Sequence, residues 1–382
     1  MIRNILVIRF RRVGDSVLSM ALCHSLKLTF PEAKIHFVIN KNIASLYRNH
    51  PDIDRVITFD EEQQEGLEYV SRVRNIMHAT HYDVIIDMRS TPKTLLFSLC
   101  SLSTPYRIGR YKSYNVGIHN YRIPTPPGVD RVGSNLRLMD PLVNEANLIK
   151  SRHFPLYITD QERADFRRYM TEHGIDFSKP VVTVAICTRI IGKAWDKLRM
   201  SEVLNRLIKQ YDAQLIANFG GVAEKQVALD FQHALGGNPH FHTDIEAANL
   251  RQLCALLVNS DFFFGNEGGP RHIAQAFKVP SFAIYPPGID MHFWLPADGD
   301  RYQGISPDEF INKDKQKVLT YHQRFSVITT ERVWQRLSKM MDQYVMPLKG
   351  PSGTSDPTTP DADAAPTTPD APDAAQPADP QA

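Results

Sequence analysis

Residues 261–287 read DFFFGNEGGPRHIAQAFKVPSFAIYPP and predict a strand, a glycine turn, a helix and a second strand in one short run. The uninterrupted aromatic block Phe262–Phe264 is typical of a parallel strand buried on both faces, and we expect that strand to stop at Gly265. Pro270 suits the first turn of a helix, where a missing N–H costs nothing. Residues 281–285 then predict the next strand of a βαβ unit.

The turn between this strand and this helix predicts an anion-binding site. A glycine turn at the carboxyl end of a strand leaves backbone N–H groups pointing outward at the positive end of a helix dipole. Arg271 and His272 fall in the first helical turn, where a cation gains nothing from the dipole, so an anionic ligand would explain them. An ordinary loop with a surface Arg271 and a packed His272 explains them equally well, because the turn is neither a GxGxxG nor a Walker loop.

Length and composition indicate a globular protein of two α/β domains. The chain has 382 residues, of which 42% are hydrophobic and 23% charged, and no apolar run approaches the length of a membrane span. The N-terminal apolar run is too short for a signal peptide, so we expect a cytoplasmic protein. The four cysteines, at positions 23, 100, 187 and 254, form no C-x-x-C pair and give no indication of a zinc site.

The formal net charge of +2 hides an uneven distribution. Residues 351–382 contain six aspartates and no Lys or Arg, so the rest of the chain has 44 basic against 36 acidic residues. Much of the excess lies in one tract, where Asp130 is the single acid among Arg89, Lys93, Arg107, Arg110, Lys112, Arg122, Arg131 and Arg137. The tract favours an acidic partner, either a phosphorylated small molecule or an anionic membrane surface; a solvated basic face is the alternative.

Strands and helices alternate along both halves of the chain. Buried strands are predicted at 5–8, 35–39, 55–59 and 83–87, and a second series begins at 181–186. The pattern is irregular over 111–129, and a helix is predicted over 131–147. This βα rhythm predicts two Rossmann-like, doubly wound parallel sheets.

The joint between the two domains is expected near residues 152–159. This gives an N-terminal domain at 1–155 and a second domain at 156–330, followed by an amphipathic C-terminal helix at 331–348. From about 349 to 382 the chain is rich in Pro, Ala, Asp and Thr, cannot bury a core and is predicted to be disordered.

Two further turns at strand ends contain residues that suit catalysis. Asp15 follows Gly14 in the first βα turn, where its carboxylate could act as a general base, although Asp15 or Ser16 is also an ordinary helix N-cap. In the second half, Thr188, Arg189 and Lys193 follow a buried strand, as a diphosphate site requires. Trp195 is expected to pack rather than to stack on a base.

Together these turns resemble the ADP-heptose:lipopolysaccharide heptosyltransferases of glycosyltransferase family 9. The resemblance rests on Val13-Gly14-Asp15, on Thr188-Arg189 followed by Lys193-Ala194-Trp195, and on the family pattern N-D-[ST]-G-x-x-H, here Asn266-Glu267-Gly268-Gly269-Pro270-Arg271-His272. Order and spacing agree over roughly residues 1 to 345. Two departures stand out: Glu267 replaces the usual Asp, and Gly268 replaces the usual Ser or Thr.

The resemblance implies a GT-B fold, in which the first domain binds the acceptor and the second binds the nucleotide sugar across a cleft. It places the proposed base on Asp15 and requires no metal or other cofactor. The implied donor-binding residues are Thr188, Arg189, Lys193, Glu224, Asn266, Glu267, Gly268, Gly269 and His272. The expected acceptor-binding residues are the cations Arg11, Arg12, Arg89, Lys93, Arg110 and Lys112.

The expected activity is inverting, metal-independent transfer of a sugar, heptose from ADP-heptose, to a lipopolysaccharide inner-core acceptor. The expected partners are this donor, a phosphorylated or acidic lipid-linked saccharide, and the inner face of the inner membrane as a peripheral contact, with no nucleic acid. Two alternatives share the architecture: a nucleotide-sugar 2-epimerase, and a catalytically degenerate GT-B binding or scaffold protein.

Overall fold

A parallel sheet of six strands occupies the N-terminal part of the chain. The computed structural model describes residues 1–10, 12–60, 66–296 and 299–349. The strand order is β3-β2-β1-β4-β5-β6, where the strands are β1 (Asn4–Ile8), β2 (Lys34–Asn40), β3 (Arg55–Phe59), β4 (Val84–Asp87), β5 (Tyr106–Arg110) and β6 (Tyr121–Ile123). The helices that accompany them are α1 (Val13–Thr29), α2 (Gly66–Ala79), α3 (Pro92–Leu99) and α4 (Arg131–Leu136).

A second parallel sheet of six strands follows in the C-terminal part, with the order β12-β11-β10-β7-β8-β9. Its strands are β7 (Val181–Ala185), β8 (Gln214–Ala217), β9 (Phe241–His242), β10 (Phe262–Asn266), β11 (Ser281–Ile284) and β12 (Tyr302–Ile305). Its helices are α5 (Asp160–Glu172), α6 (Lys197–Tyr211), α7 (Gly221–Ala234), α8 (Leu250–Val258), α9 (Gly269–Ala276), α10 (Met291–Trp294), α11 (Lys313–Val318), α12 (Tyr321–Ser326) and α13 (Thr330–Tyr344).

The two doubly wound sheets confirm the predicted GT-B class. In each sheet the strand order reverses once, between β1 and β4 and between β7 and β10. Loops that leave the carboxyl ends of neighbouring strands diverge at such a point and leave a crevice, which is where α/β sheets bind ligands. The architecture therefore directs attention to the turns after β1, β4, β7 and β10.

Three local predictions need correction. The strand predicted to stop at Gly265 continues to Asn266. The helix predicted over 131–147 ends at Leu136 and continues as a 3₁₀ helix, Arg137–Leu142, because Pro141 removes a backbone donor. The irregular stretch contains a sixth strand, β6. The predicted tail lies, apart from Lys349, outside the described residues.

The two sheets belong to one packed body, which comprises residues 1–349. Helix α1 packs directly against α9, and buried side chains from both parts share a hydrophobic cluster that includes Leu18, Leu253 and Ile273. Helix α13 packs on α6 and closes the core of the second sheet with Val333 and Leu337. The contact between α1 and α9 matters most for function because each helix begins at a predicted site turn.

Candidate active site

The N-terminal ends of α1 and α9 touch each other, and two glycines make this contact possible. A Cβ atom on Gly14 would lie 2.7 Å from Cδ2 of His272, and a Cβ atom on Gly269 would lie 3.1 Å from Cβ of Val13. Neither helix start could accept a side chain at these positions without displacing the other. The structure thus brings the predicted turn around Asp15 together with the predicted turn that ends at His272.

Asp15 lies in the first turn of α1 with two guanidinium groups on the same carboxylate oxygen. Arg131 donates from Nη2 to Oδ1 over 2.8 Å, and Nη2 of Arg9 forms an ion pair with the same atom. Burial alone would raise the pKa of Asp15, but the charges of Arg9 and Arg131 outweigh it and hold the pKa below its ordinary value. The helix starts after Arg12 with no side-chain cap, so the N-cap alternative is wrong.

A basic pocket of about 650 Å³ opens from Asp15. Among the residues that the structure describes, Asp15 is the single acid in its lining, which consists of Arg9, Phe10, Arg12, Asp15, Met88, Arg89, Arg110, Tyr111, Lys112, Pro124, Thr125, Arg131 and Trp294. Trp294 belongs to α10 of the second half, so both halves build the wall. Such a concentration of cations matches an anionic ligand.

Four of the six predicted acceptor residues line this pocket: Arg12, Arg89, Arg110 and Lys112. Lys93 does not line it; this residue is exposed in the first turn of α3, where its carbonyl oxygen accepts a hydrogen bond from Tyr69. Arg11 lies outside the described residues.

Arg110 is the most constrained cation of the pocket. Its guanidinium donates to the carbonyl oxygen of Ser134 over 2.8 Å, to Oγ of Ser134 over 2.6 Å and to Oδ1 of Asn135 over 2.9 Å. Burial, followed by the nearby charges of Arg131 and Arg9, lowers its pKa to about 9. None of its partners among the described residues is an acid, so Arg110 is an immobilised positive charge without a counter-ion.

His272 occupies the junction between the two helix starts. It is buried, and burial together with the charge of Arg271 lowers its pKa to about 4, so the ring is neutral at pH 7. Arg271 lies 2.6 Å from Nδ1 and can only donate, which leaves the proton of the neutral ring on Nε2. Nε2 lies 3.8 Å from Oε1 of Glu267. His272 can therefore act as a neutral hydrogen-bond donor in this turn.

Arg271 is neither the surface residue nor the free anion-binding cation that its sequence position suggested. Its side chain is fully buried rather than on the surface, and it donates to Oε1 of Gln275 over 2.9 Å and to the carbonyl oxygen of Trp294 over 2.8 Å. It therefore anchors α10 to α9 and fixes the ring of His272. The predicted anion site of this turn would therefore have to use its backbone amides.

Asn266 acts as an internal tie between strand ends. Its Oδ1 accepts from the backbone N–H of Trp195 over 2.8 Å, and its Nδ2 donates to the carbonyl oxygens of Ala185 and Ile186. All of these bonds hold the loop after β7 against β10. Trp195 packs as predicted, with Nε1 bonded to the carbonyl oxygen of Ile328 over 3.0 Å.

The other predicted donor residues lie along the same edge of the second sheet. Lys193 lies close enough to Glu267 to help lower the pKa of that carboxyl against the effect of burial. Thr188 donates from its hydroxyl to the carbonyl oxygen of Ile190 over 2.7 Å, and Arg189 is exposed. Glu224 accepts from the backbone N–H of Gly220 over 2.7 Å in the turn that starts α7.

The sequence model of glycosyltransferase family 9 (heptosyltransferase) matches residues 70–321, about two thirds of the chain. The chain belongs to glycosyltransferase family 9. Lipopolysaccharide heptosyltransferase 3 of Escherichia coli K12 is 22% identical over 346 residues, which cover 86% of this chain and 96% of that protein.

Two solved structures of family 9 proteins share the fold. The family 9 glycosyltransferase of Veillonella parvula superposes with a TM-score of 0.72 at 18% identity and covers 89% of this chain and 98% of its own. The E. coli ADP-heptose lipopolysaccharide heptosyltransferase II gives a TM-score of 0.68 at 19% identity, with 89% and 99% covered. This chain is a heptosyltransferase-like glycosyltransferase, and family 9 membership supports neither the epimerase nor the scaffold alternative.

Sequence reasoning missed three side chains of this family 9 site: Arg9, Arg131 and Trp294. Arg131 was counted in the basic tract but not assigned to Asp15, which precedes it by 116 residues. Arg9 directly follows β1, and that position was a usable signal. Trp294 had no usable sequence signal, because nothing in the residues around it indicates that its side chain contacts the N-terminal half.

Within the four described ranges, no three His, Cys, Asp or Glu side chains are grouped so that they could hold a metal ion. In the same part of the chain, no helix is both long and apolar enough to cross a bilayer.

Proposed function

We propose that this protein is an inverting, metal-independent glycosyltransferase that moves heptose from ADP-heptose to an anionic lipopolysaccharide inner-core acceptor. The proposal is carried by the contact of the helix start that bears Asp15 with the turn of His272, beside a pocket that Asp15 and several cations line. A carboxylate from one sheet and a set of hydrogen-bond donors from the other sheet then flank a shared space. Transfer between two bound sugars requires that arrangement.

The proposed reaction is a single displacement. The acceptor hydroxyl attacks the anomeric carbon from the face opposite the nucleotide, and Asp15 accepts the hydroxyl proton. The new C–O bond forms as the bond between the anomeric carbon and the phosphate oxygen breaks, and the nucleoside diphosphate leaves with the electron pair. The configuration at the anomeric carbon is therefore inverted.

The donor side supplies charge and hydrogen bonds to the departing diphosphate. We assign this role to Lys193, Thr188, the neutral Nε2–H of His272 and the backbone amides after Gly268 and Gly269. Preorganised donors that face developing negative charge are worth several kcal/mol, roughly 3–4 for a single well-placed group. In this scheme these groups stabilise the negative charge that a divalent cation stabilises in metal-dependent glycosyltransferases. We therefore expect metal-independent turnover.

The choice of ADP-heptose is supported by the name of the structurally similar E. coli enzyme, an ADP-heptose heptosyltransferase. The replacement of the usual Asp and Ser or Thr by Glu267 and Gly268 is the feature most able to alter the donor, because it lengthens one carboxylate and removes one hydroxyl. The proposed donor site also includes Glu224, Arg189 and Asn266. Asn266 contributes indirectly, because it holds the loop after β7 against β10.

The acceptor proposal rests on the cations of the pocket. Arg12, Arg89, Arg110 and Lys112 would hold phosphates or carboxylates of a lipid-linked saccharide. Because such an acceptor is embedded in a bilayer, we also propose that the enzyme works at the inner face of the inner membrane as a peripheral protein.

The substitution Asp15→Asn tests the assignment. It is expected to leave ADP-heptose binding intact and to lower turnover by roughly 10²–10⁴-fold, the usual contribution of a general base. Donor binding is measured by calorimetry and turnover by ADP release with core oligosaccharide as acceptor. Wild-type activity should persist in EDTA. Full activity of Asp15→Asn would refute the assignment of Asp15 as the general base. A strict requirement for Mg²⁺ would refute the proposal that side chains and amides alone stabilise the leaving diphosphate.

A further inference from the structure

The ion pairs on Asp15 hinder the role proposed for it. Two guanidinium groups occupy Oδ1, and the pKa of the carboxyl lies below its ordinary value despite burial. A carboxylate that is such a weak base accepts a proton from a sugar hydroxyl poorly. The two ion pairs therefore stabilise the carboxylate more than catalysis would favour.

Of the two guanidiniums, that of Arg131 is the freer to move. Arg9 directly follows β1; its side chain is only 5% exposed, and its Nη1 also donates to the carbonyl oxygen of Met88. The Arg131 side chain is 17% exposed, and its guanidinium lies over the rings of Phe293 and Trp294, 5.7 and 5.5 Å from their centroids. Within the described residues, Nε of neither arginine has a hydrogen-bond partner, so the difference lies in the greater exposure of Arg131 and in the bond from Arg9 to Met88.

The backbone of Arg131 is fixed even though its side chain is not. Asp130 caps α4 by accepting from the backbone N–H of Gly133 over 2.7 Å, and it forms an ion pair with Arg152. Arg131 is the first residue of that helix. Its guanidinium can therefore swing on a rigid base between Asp15 and the pocket.

The pocket offers this guanidinium an alternative partner once an anion is bound. Arg110 is buried, held by Ser134 and Asn135, and has no acidic partner in the described part of the chain. Arg131 is close enough to Arg110 to lower the pKa of Arg110 by repulsion. An anion between the two guanidiniums would convert that repulsion into attraction on both sides.

We propose that Arg131 is an anion-responsive switch on Asp15: an anionic group of the acceptor, bound against Arg110, draws the Arg131 guanidinium off Oδ1 and frees Asp15 to accept the hydroxyl proton. This inference rests on the proposed function and adds a source of specificity to it. A neutral acceptor would bind less well and would also leave the base paired. The charged or titratable groups Arg9, Arg131 and His272 act on Asp15 directly, and Arg12, Arg89, Arg110 and Lys112 line the same pocket. The anion is a phosphate or a carboxylate, and the experiment separates the two.

The first test observes the switch without any turnover. Inorganic phosphate is titrated into the full-length protein while tryptophan fluorescence is recorded, because Arg131 lies over the ring of Trp294. A saturable change is expected, and it should vanish in Arg131→Gln and in Trp294→Phe. The matched control Trp334→Phe removes a tryptophan on α13 and should keep the change. A wild-type protein without the change, or an Arg131→Gln protein that retains it, would overturn the switch.

The second test uses three acceptors: a phosphorylated core oligosaccharide, the same oligosaccharide after phosphatase treatment, and the same oligosaccharide after reduction of its carboxylates. In the wild type, kcat is expected to fall when the recognised anion is removed, which identifies phosphate or carboxylate. In Arg131→Gln, kcat should no longer depend on that anion, and KM for the intact acceptor should rise roughly 10- to 100-fold.

A purely structural role of Arg131 would give a different dependence of kcat and KM on the acceptor. If Arg131 only holds Asp15 in place, Arg131→Gln lowers kcat equally with all three acceptors and leaves KM unchanged, and that result would refute the switch.

The acidic limb of kcat/KM should move to higher pH in Arg131→Gln, because a cation that lowers the pKa of Asp15 is gone. Absence of wild-type turnover with any acceptor would count against the proposed function instead, and the fluorescence titration would still decide the switch.

Discussion

Gly14 is the residue at which the two halves of the active site constrain each other most closely. Its missing Cβ leaves room for the buried ring of His272, only 2.7 Å from where that atom would be. Gly14→Ala is therefore expected to push the two helix starts apart and to lower kcat/KM roughly 10- to 100-fold, since displacements of about 1 Å have that effect. Steady-state kinetics with circular dichroism as a fold check measures it; unaltered kinetics would show that the junction tolerates movement.

Gly268 provides the contrast, although it lies in the same site. Its φ of 172° is extended backbone, and a Cβ there would have its nearest neighbour, Cδ of Pro270, at 3.7 Å. Gly268→Ser should therefore fold normally and gain a few tenths of a kcal/mol as a helix N-cap. We expect kcat/KM with ADP-heptose to rise by roughly up to tenfold through one new hydrogen bond. A decrease would indicate that the donor is not the usual one.

Single residues were predictable where a local signal existed. Asp15 and His272 belong to short motifs beside glycines, and those motifs were readable in the sequence. The contact between Arg131 and Asp15 spans 116 residues and depends on how α4 lies against α1. No local pattern contains that information, so the basic tract could be recognised while its member that pairs with Asp15 could not.

At the scale of helices, Arg251 connects elements from both halves. It donates to both carboxylate oxygens of Glu162 on α5 over 2.6 Å and to the carbonyl oxygens of Arg48 and Tyr157. The hydrogen bonds from Arg251, which outweigh the effect of burial, lower the pKa of Glu162 to about 2. Arg251→Gln removes these bonds, so that Glu162, among its described partners, keeps only the bonds from Thr159, and is expected to reduce the free energy of unfolding by roughly 2–4 kcal/mol.

The pH dependence follows from the direction of the Glu162 shift. Because the folded-state pKa of Glu162 is below its unfolded value, its contribution to stability is complete above pH ~4.5 and is lost as the pH falls toward 2. Urea unfolding at several pH values should therefore show a smaller acid-induced loss in Arg251→Gln than in the wild type. The control Lys317→Gln breaks an exposed pair and should change stability by less than about 0.5 kcal/mol. Parallel pH curves for wild type and Arg251→Gln would contradict the assignment.

Elements were predictable where the hydrophobic pattern was continuous. Strands β1, β7 and β10 are apolar and buried, and their positions were read almost to the residue. Strands β5 and β6 were not, because Tyr106–Arg110 and Tyr121–Ile123 carry arginines and lie toward or at the edge of the sheet. Their propensity signal is weak and their pairing is decided by the neighbouring strand.

The whole molecule combines a predictable architecture with an uneven surface. Alternating βα units lead to doubly wound sheets because crossovers between parallel strands are right-handed and short. The meeting of two such sheets at α1 and α9 is a tertiary fact that no local pattern contains. The surface beside the basic pocket joins cations to exposed apolar groups: Tyr111 and Lys112 line the pocket, and the following Tyr114 and Val116 are 51% and 63% exposed.

We predict that this surface contacts the bilayer in the proposed peripheral association. Aromatic and apolar side chains beside Lys112 and Arg122 suit the headgroup region of an anionic membrane, where each cation contributes about 1 kcal/mol. Val116→Asp is therefore expected to weaken sedimentation with phosphatidylcholine vesicles that contain about a quarter phosphatidylglycerol, by roughly tenfold. Val222→Asp, at a still more exposed position in the second half, should leave vesicle binding unchanged. Equal losses in both variants, or equal binding to uncharged vesicles, would place the membrane contact elsewhere.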